Sequence, residues 1–346
     1  MLDLSIIIPV YQVERYIRPC VESIFRQGLD ESRFEVIIVN DCTKDRSMAM
    51  IADIIQQHTN ITVINHPENL SLSVARNTGI DAAKGKYLFM PDSDDLLIEN
   101  SLPPVLEKAL ELEVDLAVAG FFPVNDKNID SFKVTERQEF TFKEKIGEQL
   151  FLEDLNAYQC YVWRTLYRRD FILENQIRFI PGINYQDVPF THECHLKAKR
   201  SIVTPWPIYI YRVDRPGAAT TVFSVKKSRS YSIAIGSTWN LSKMPSLSTE
   251  ARYKVEEDVY HSFCTMMFHT VYAIEKTSER IQILQILKKE APDLNFKHGF
   301  FQKLTTFMYR YLPIHYLEAF YLYYQISYKK IPIIKSLRRY MITKKL

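Results

Sequence analysis

The chain of 346 residues has no CxxC pair, and its five cysteines, Cys20, Cys42, Cys160, Cys194 and Cys264, are scattered and odd in number. That argues against a disulfide framework and a structural zinc cluster, and it fits a reducing compartment. No stretch reaches the about eighteen apolar residues that a spanning helix needs. The start, Met1-Leu2-Asp3-Leu4, lacks the basic opening of a signal peptide, and Ile6-Ile7-Ile8 is broken by Pro9. The expected location is therefore cytoplasmic. Glycine is scarce, nine residues, and neither GxGxxG nor GxxxxGK(S/T) occurs. That removes the dinucleotide fingerprint and the P-loop, so a phosphate carrier must be held by metal and not by a glycine-rich cradle. Surplus charge is missing too. A net charge of +3 is too small to mark a nucleic-acid binder.

What is present is ordinary globular material, 47% hydrophobic and 25% charged, enough for one large domain or two ordinary ones. Short apolar runs at Leu4 to Pro9, Phe34 to Val39, Ile61 to Ile64, Tyr87 to Met90 and Asp115 to Phe121 predict five strands. Between them, helical spacing appears at Val13, Tyr16, Ile17, Cys20, Val21, Ile24 and Phe25, ending at Gly28. It returns at Met50, Ile51, Ile54 and Ile55, then from Ser71 to Ala83 with Gly85 as a stop, and from Ser101 to Leu112. Strand alternating with helix over short connections predicts an α/β domain with a mainly parallel sheet and helices on both faces.

Ligands of such sheets bind beyond the carboxyl ends of the strands. Tyr11, Asn40-Asp41 and Pro91-Asp92-Ser93-Asp94-Asp95 all fall at such ends. The last places three carboxylates within four positions, where like charges resist ionising together. Mg²⁺ or Mn²⁺ would relieve them, taking one or two carboxylates and leaving other positions to water and phosphate oxygens. A strand-to-helix turn capped by Ser93 or Asp94 would account for the same residues.

Four segments, Ser5-Ile6-Ile7-Ile8-Pro9-Val10-Tyr11, Val39-Asn40-Asp41-Cys42-Thr43-Lys44-Asp45, Ala75-Arg76-Asn77-Thr78-Gly79 and Asp92-Ser93-Asp94-Asp95, come in the order and spacing of one family. The chain resembles the inverting glycosyltransferases of family 2 with the GT-A fold, over about residues 3 to 220. The resemblance implies that Pro9, Val10 and Tyr11 line the pocket of a nucleotide base, with Glu14 one turn on. Asp41 would accept a hydrogen bond from the base N–H, as uracil offers, although a turn cap is the plainer role for it. Arg76 would contact the nucleotide or pair with the aspartate cluster. Asp92, with Ser93 beside it, would hold the ribose. Asp94, in the DXD position, would ligate Mn²⁺ or Mg²⁺ on the diphosphate. Cys42 stands where the family usually has glycine, which costs energy if the backbone there has a positive φ.

An inverting transfer needs a base for the acceptor hydroxyl. In Tyr185-Gln186-Asp187-Val188-Pro189-Phe190 the resemblance puts that base at Asp187, with Gln186 replacing the usual glutamate. Gln186 can hydrogen-bond a sugar hydroxyl but cannot take a proton. Asp187 also suits the N-terminus of a helix carrying Phe190, His192 and Leu196. Trp163 would stack on the acceptor sugar or be buried in the core. Residues Tyr211-Arg212 to Thr220 resemble the family's closing loop, with Arg212 or Arg215 approaching the diphosphate. His192-Glu193-Cys194-His195 places its histidines three apart with no third ligand, and reads as a helix surface, not zinc.

These segments divide the chain into a catalytic domain at 1–225, with nucleotide-sugar binding in 1–120 and the acceptor side in 121–225, and a helical region at 226–346. In the latter, Tyr260, Phe263, Cys264, Met267, Phe268 and Val271 form one apolar face, and aromatics crowd Phe300 to Tyr328. Lys329, Lys330, Lys335, Arg338, Arg339, Lys344 and Lys345 follow with no acidic residue. This suits the surface of an anionic membrane through 300–346, a docking partner, or a helical cap. The resulting expectation is a metal-dependent transferase taking a nucleotide sugar, a UDP-sugar, to a glycan or lipid-linked glycan hydroxyl in polysaccharide biosynthesis. A nucleotide-sugar-binding protein with weak or no activity is the alternative. A nucleotidyltransferase would need a glycine- and lysine-rich loop that Pro9-Val10-Tyr11-Gln12-Val13-Glu14 does not provide.

Overall fold

The computed structural model of the protein describes residues 2–134, 140–157, 159–215 and 224–324. It forms two compact units, residues 1–219 and 220–346.

The first unit opens with β1 (Leu4–Val10), whose seven residues are all buried. Then come α1 (Ile17–Phe25), β2 (Phe34–Asn40), α2 (Ala52–Gln57), β3 (Ile61–Asn65), α3 (Leu72–Ala82), β4 (Tyr87–Phe89), β5 (Leu96–Leu97) and α4 (Leu102–Leu112). β6 (Leu116–Asn125), β7 (Lys143–Ile146), β8 (Thr165–Arg168), α5 (Arg169–Glu174), α6 (Asp187–Lys197) and β9 (Arg200–Val213) complete it. Among the described residues the strands make one sheet in the order β3-β2-β1-β4-β8-β6-β9-β5, with β7 on β9.

Pairing is parallel from β3 to β4, as right-handed strand–helix crossovers require. The alternation expected through residue 112 is therefore present. The strand expected at 115–121 is also there, but it does not lie beside β4. β8 inserts between them and pairs antiparallel with both, so the far half of the sheet is mixed. Parallel pairing needs a crossover helix, and among the described residues the stretch between β6 and β8 supplies only β7 and short helical segments of three to six residues. A four-residue strand such as Thr-Leu-Tyr-Arg carries too little periodicity to be found in advance.

Side chains of the central strands alternate between two cores. Ile6, Ile8 and Val10 meet Ile17, Val21, Ile24, Val105 and Leu106 on one face. Ile7, Ile37 and Val39 meet Ala75, Ile80, Phe171 and Phe190 on the other. Gly85 lies beyond the end of α3, and closeness to β1, not helix termination, explains it. A Cβ there would sit 2.4 Å from the backbone of Leu4 and Ser5, and its N–H donates to Ser5 Oγ at 2.8 Å. Gly85→Ala is expected to cost about 1–3 kcal/mol, as overpacking does. A urea titration should show a lower midpoint with an unchanged slope, and an unmoved midpoint would refute the packing argument.

The second unit holds α7 (Val225–Leu241), α8 (Thr249–Ala273), α9 (Thr277–Glu290), α10 (Phe300–Tyr311) and α11 (Pro313–Tyr324). Its core gathers Val255, Val259, Phe263, Met266 and Met267 of α8 with Ile283, Leu287 and Phe296. The buried stripe of α8 is rotated from the expected one, since Tyr260, Cys264 and Phe268 are only half-buried. Residues 216–220 of the expected closing loop, and the basic stretch from Lys329, lie outside the described residues.

Candidate active site

The carboxyl ends of β1, β2 and β4 lead into three segments. At the first, Val10 is wholly buried and adds only its backbone, its C=O accepting from Asp41 N at 3.0 Å. This corrects the pocket-lining role expected of the Val10 side chain, which faces the core because residues alternate along a strand. Tyr11 is 39% exposed and free to meet a planar ring. The turn after it is tied to the loop after β2: Gln12 N donates to Thr43 Oγ1 and Val13 N to Ser47 Oγ. Glu14 N donates to Asp45 Oδ2, and Glu14 Oε2 accepts from Arg46 N at 3.1 Å. Glu14 therefore braces two loops. Asp45 does the same. Burial works against its charge, yet hydrogen bonds from Ser47 and Thr43 hold its pKa below the usual value.

Asp41 is a hub. Its carboxylate accepts from Leu70 N at 2.8 Å, Ser71 N at 2.9 Å and Asn69 Nδ2 at 2.9 Å, and it pairs with His66 Nδ1 at 2.8 Å. Four partners match the about four acceptor positions of a carboxylate, so the turn-capping role is realised here. Cys42 next to it has φ 55°, the left-handed backbone that glycine adopts more readily.

After β4, carboxylate oxygens of Asp92, Asp94 and Asp95 lie within 4.8 Å of one another. Each has a different surrounding. Asp95 is buried, accepting from Tyr209 Oη at 2.9 Å and Arg212 N at 2.7 Å, and burial followed by its two neighbours pushes its pKa well up. Asp92 accepts from Arg76 Nη2 at 2.5 Å, with Arg76 itself buried against the Phe179 ring at 5.3 Å. Arg76 thus makes the ion pair with the cluster. Burial still raises Asp92 to about 6, against the pull of Arg76 and with a further push from Asp94 and Asp187. Asp94 faces the Arg215 guanidinium, each side chain 18% exposed. Ser93 is buried between them in sequence.

This donor set fits a hard divalent cation: all its atoms are carboxylate oxygens, and a guanidinium already balances Asp94. Asp92 and Asp94 would hold the ion, while the Tyr209 and Arg212 contacts orient Asp95. The thiol of Cys20, Sγ 3.6 Å from Asp92 O, is pushed well up by burial and then by the three aspartates.

Asp187 opens α6, with Gln186 as the residue before it. Burial raises its pKa, opposed first by Arg76, then by the backbone amides of Asp187 and Val188 and by His192. The Asp187 charge adds to the rise at Asp92, and Arg76 opposes the rise at both carboxyls. Gln186 is 5% exposed and its Oε1 is buried with no hydrogen-bond partner. Trp163 is 3% exposed, stacked on Tyr161 at 4.7 Å and on Tyr209 at 4.3 Å. The acceptor platform expected of Trp163 is corrected on that ground: its ring has no open face. His192 and His195 each direct Nδ1 to a carbonyl one turn back in their own helix, at 2.8 Å, and both are buried, which corrects the helix-surface placement expected of them.

Sequence reasoning missed His66, Tyr209 and Tyr16. Tyr16 carries Arg212 over its ring at 4.7 Å and Arg215 at 5.5 Å. No local signal marks these residues, because their partners are far away along the chain.

Residues 5–174 match the family model for Glycosyl transferase family 2. The uncharacterized glycosyltransferase EpsJ of Bacillus subtilis (strain 168) is 34% identical over 220 residues, 63% of this chain and 63% of that protein. The match thus spans under two thirds of that relative's length. The poly(ribitol-phosphate) beta-N-acetylglucosaminyltransferase TarS of Staphylococcus aureus (strain MW2) is 26% identical over 63% of this chain and 36% of its own. The crystal structure of S. aureus TarS 1–349 in complex with UDP superposes with a TM-score of 0.70 at 18% identity, covering 94% of this chain and 91% of that one. Its complex with UDP-GlcNAc gives 0.67, over 94% and 92%. The fold is the GT-A fold with a helical C-terminal region.

Proposed function

Through residues 5–174 this chain belongs to glycosyl transferase family 2, and from that premise we propose that it is an inverting, divalent-metal-dependent transferase. It would move a sugar from a nucleotide sugar, a UDP-sugar, to a hydroxyl of a glycan or lipid-linked glycan in polysaccharide biosynthesis, working beside a membrane. The observation that carries this reading is the cluster of Asp92, Asp94 and Asp95 within 4.8 Å of one another, with Arg76 on Asp92 at 2.5 Å and the Asp187 charge acting on Asp92.

Asp187 is the base. Its raised pKa makes it a better proton acceptor than a solvated aspartate, and Arg76, followed by the amides at the start of α6, favours its charged form. Gln186 Oε1, buried and unpartnered, accepts from a sugar hydroxyl. Asp94 and Asp92 hold Mn²⁺ or Mg²⁺, which neutralises the departing diphosphate. Arg215 and Arg212 put two further positive charges on the same side. Tyr11 stacks on the base. For the uracil N–H to reach Asp41, the exposed Asn69 amide must give way. Uridine as the donor nucleoside is carried over from the TarS complexes with UDP and UDP-GlcNAc. The neutral Gln186 supports a second reading, a donor-binding protein of low activity.

A panel of nucleotide sugars with Mn²⁺ or Mg²⁺ separates the two. A transferase should hydrolyse one uridine donor slowly and gain thermal stability from it, by about 2.7 kcal/mol at a concentration 100 times its Kd. Stabilisation without turnover selects the binding protein, and no response to any uridine donor defeats both.

A further inference from the structure

Helix α10 is built inside out. Its inward residues are Gln302, Thr305, Thr306 and Tyr309, while Phe300, Leu304, Phe307 and Tyr311 face solvent at 73%, 43%, 51% and 68% exposure. Positions 300, 304, 307 and 311 recur at helical spacing and form one stripe. Phe301, 76% exposed, widens it. The polar side is engaged at Gln302, Thr306 and Arg310, while Tyr309 Oη is buried without a hydrogen-bond partner. Gln302 Nε2 donates to Glu257, and Gln302 Oε1 accepts from His298 N. Thr306 Oγ1 accepts from Phe296 N and donates to Phe296 O. Arg310 Nη2 donates to Leu294 O at 2.8 Å. Hydrogen bonds therefore fix which side points in, and the aromatic side is left outward by construction.

Exposed apolar residues continue along the sequence past the helix. Leu312 and Ile314 are exposed at the turn into α11, and Leu322 near its end is 59% exposed. No described helix is long and apolar enough to cross a membrane. An apolar stripe on a short helix, with Lys303 and Arg310 at its edge and no acidic residue in α10, has the makeup of a helix that lies in a lipid interface. Charge supports the same occupant. Residues 325–346, which follow α11 directly, contain seven lysines and arginines and no aspartate or glutamate, although the whole chain carries only +3. Without them the chain would be net negative. Its positive charge is thus concentrated, along the sequence, next to the aromatic stripe, which is the pairing that anionic headgroups attract.

We infer that the outer face of α10, with Phe300, Leu304, Phe307 and Tyr311, seats the protein on an anionic lipid bilayer. This extends the proposed function, since a lipid-linked acceptor is presented at such a surface.

The test is vesicle flotation of the full chain. Vesicles of phosphatidylcholine with phosphatidylglycerol should carry the protein up, and vesicles of phosphatidylcholine alone should carry about tenfold less. The double variant Phe300→Ser with Phe307→Ser should lose about tenfold or more of the anionic-vesicle binding. Both positions are exposed, so melting temperature should hold, and so should stabilisation by UDP with Mn²⁺. A wild-type chain that binds neither vesicle overturns the proposal, whether a second copy or residues 325–346 cover the face instead. So does a double variant that floats like wild type, or equal binding to both vesicles. Lipid binding without any UDP response would sink the transferase reading alone, and the reverse would sink the lipid surface alone.

Discussion

Asp187→Asn is expected to lower sugar transfer by about 10²- to 10⁴-fold, the range that a positioned base contributes. Donor affinity should stay close to that of the native chain. The substitution keeps the shape of the side chain and its place as the first residue of α6, but an amide cannot take a proton. It also removes a negative charge that raises the pKa of Asp92. The cluster that would hold the cation therefore becomes easier to ionise, and metal-dependent donor binding should be equal or slightly tighter. This split between turnover and binding is what a structural role for Asp187 would not produce. If the substitution did no more than uncap α6, thermal stability and donor binding would fall together with activity. Single-turnover rates, a UDP titration and a melting curve on the same protein decide it. Transfer within about tenfold of native would remove Asp187 as the base.

The parallel half of the fold was legible because its strands are buried on both faces and its helices are amphipathic. Leu4–Val10 and Phe34–Asn40 show this in runs that are apolar except at Ser5, Glu35 and Asn40. The antiparallel half was not, since β8 has four residues and β5 two. Such pieces become strands only through their neighbours. For the site, residues at strand ends could be named in advance, because topology alone makes those ends the ligand edge. So could Arg76 as a partner of the aspartates, but the other contacts could not. Tyr209 and Arg212 reach Asp95 from more than a hundred residues away, and His66 meets Asp41 across a loop. Trp163 shows the limit in another way. An indole beside the site has the same sequence signature whether its face is open or covered, and only packing against Tyr161 and Tyr209 decides. Gly85 is the reverse case, a residue that sequence marks for the wrong reason. Its position after an apolar helix suggests a stop, and what it meets is the backbone of β1.

Asp94→Asn and Arg215→Gln should move cation binding in opposite directions. In the free protein the Arg215 guanidinium pairs with the Asp94 carboxylate, and both side chains are mostly shielded from water. A divalent ion at Asp94 must displace that guanidinium. Removing it leaves Asp94 with an uncompensated charge beside Asp92 and Asp95, so Arg215→Gln should tighten Mn²⁺ binding in the absence of nucleotide. The expected gain is about three- to tenfold, since a partly exposed pair contributes roughly 1 kcal/mol. Asp94→Asn deletes a charged ligand and should weaken Mn²⁺ binding by more than about 100-fold, beyond what loss of an outer contact does. Calorimetric titration of Mn²⁺ into the nucleotide-free chains reads both without any reference to turnover. Activity then separates the two roles of Arg215. Its guanidinium already lies over the Tyr16 ring next to Arg212, and released from Asp94 it would be free for the diphosphate, so Arg215→Gln should bind metal better and transfer sugar worse. Weaker Mn²⁺ binding in that variant would mean that Arg215 supports the aspartates and does not compete for them. Unchanged binding in Asp94→Asn would move the cation off Asp94 altogether.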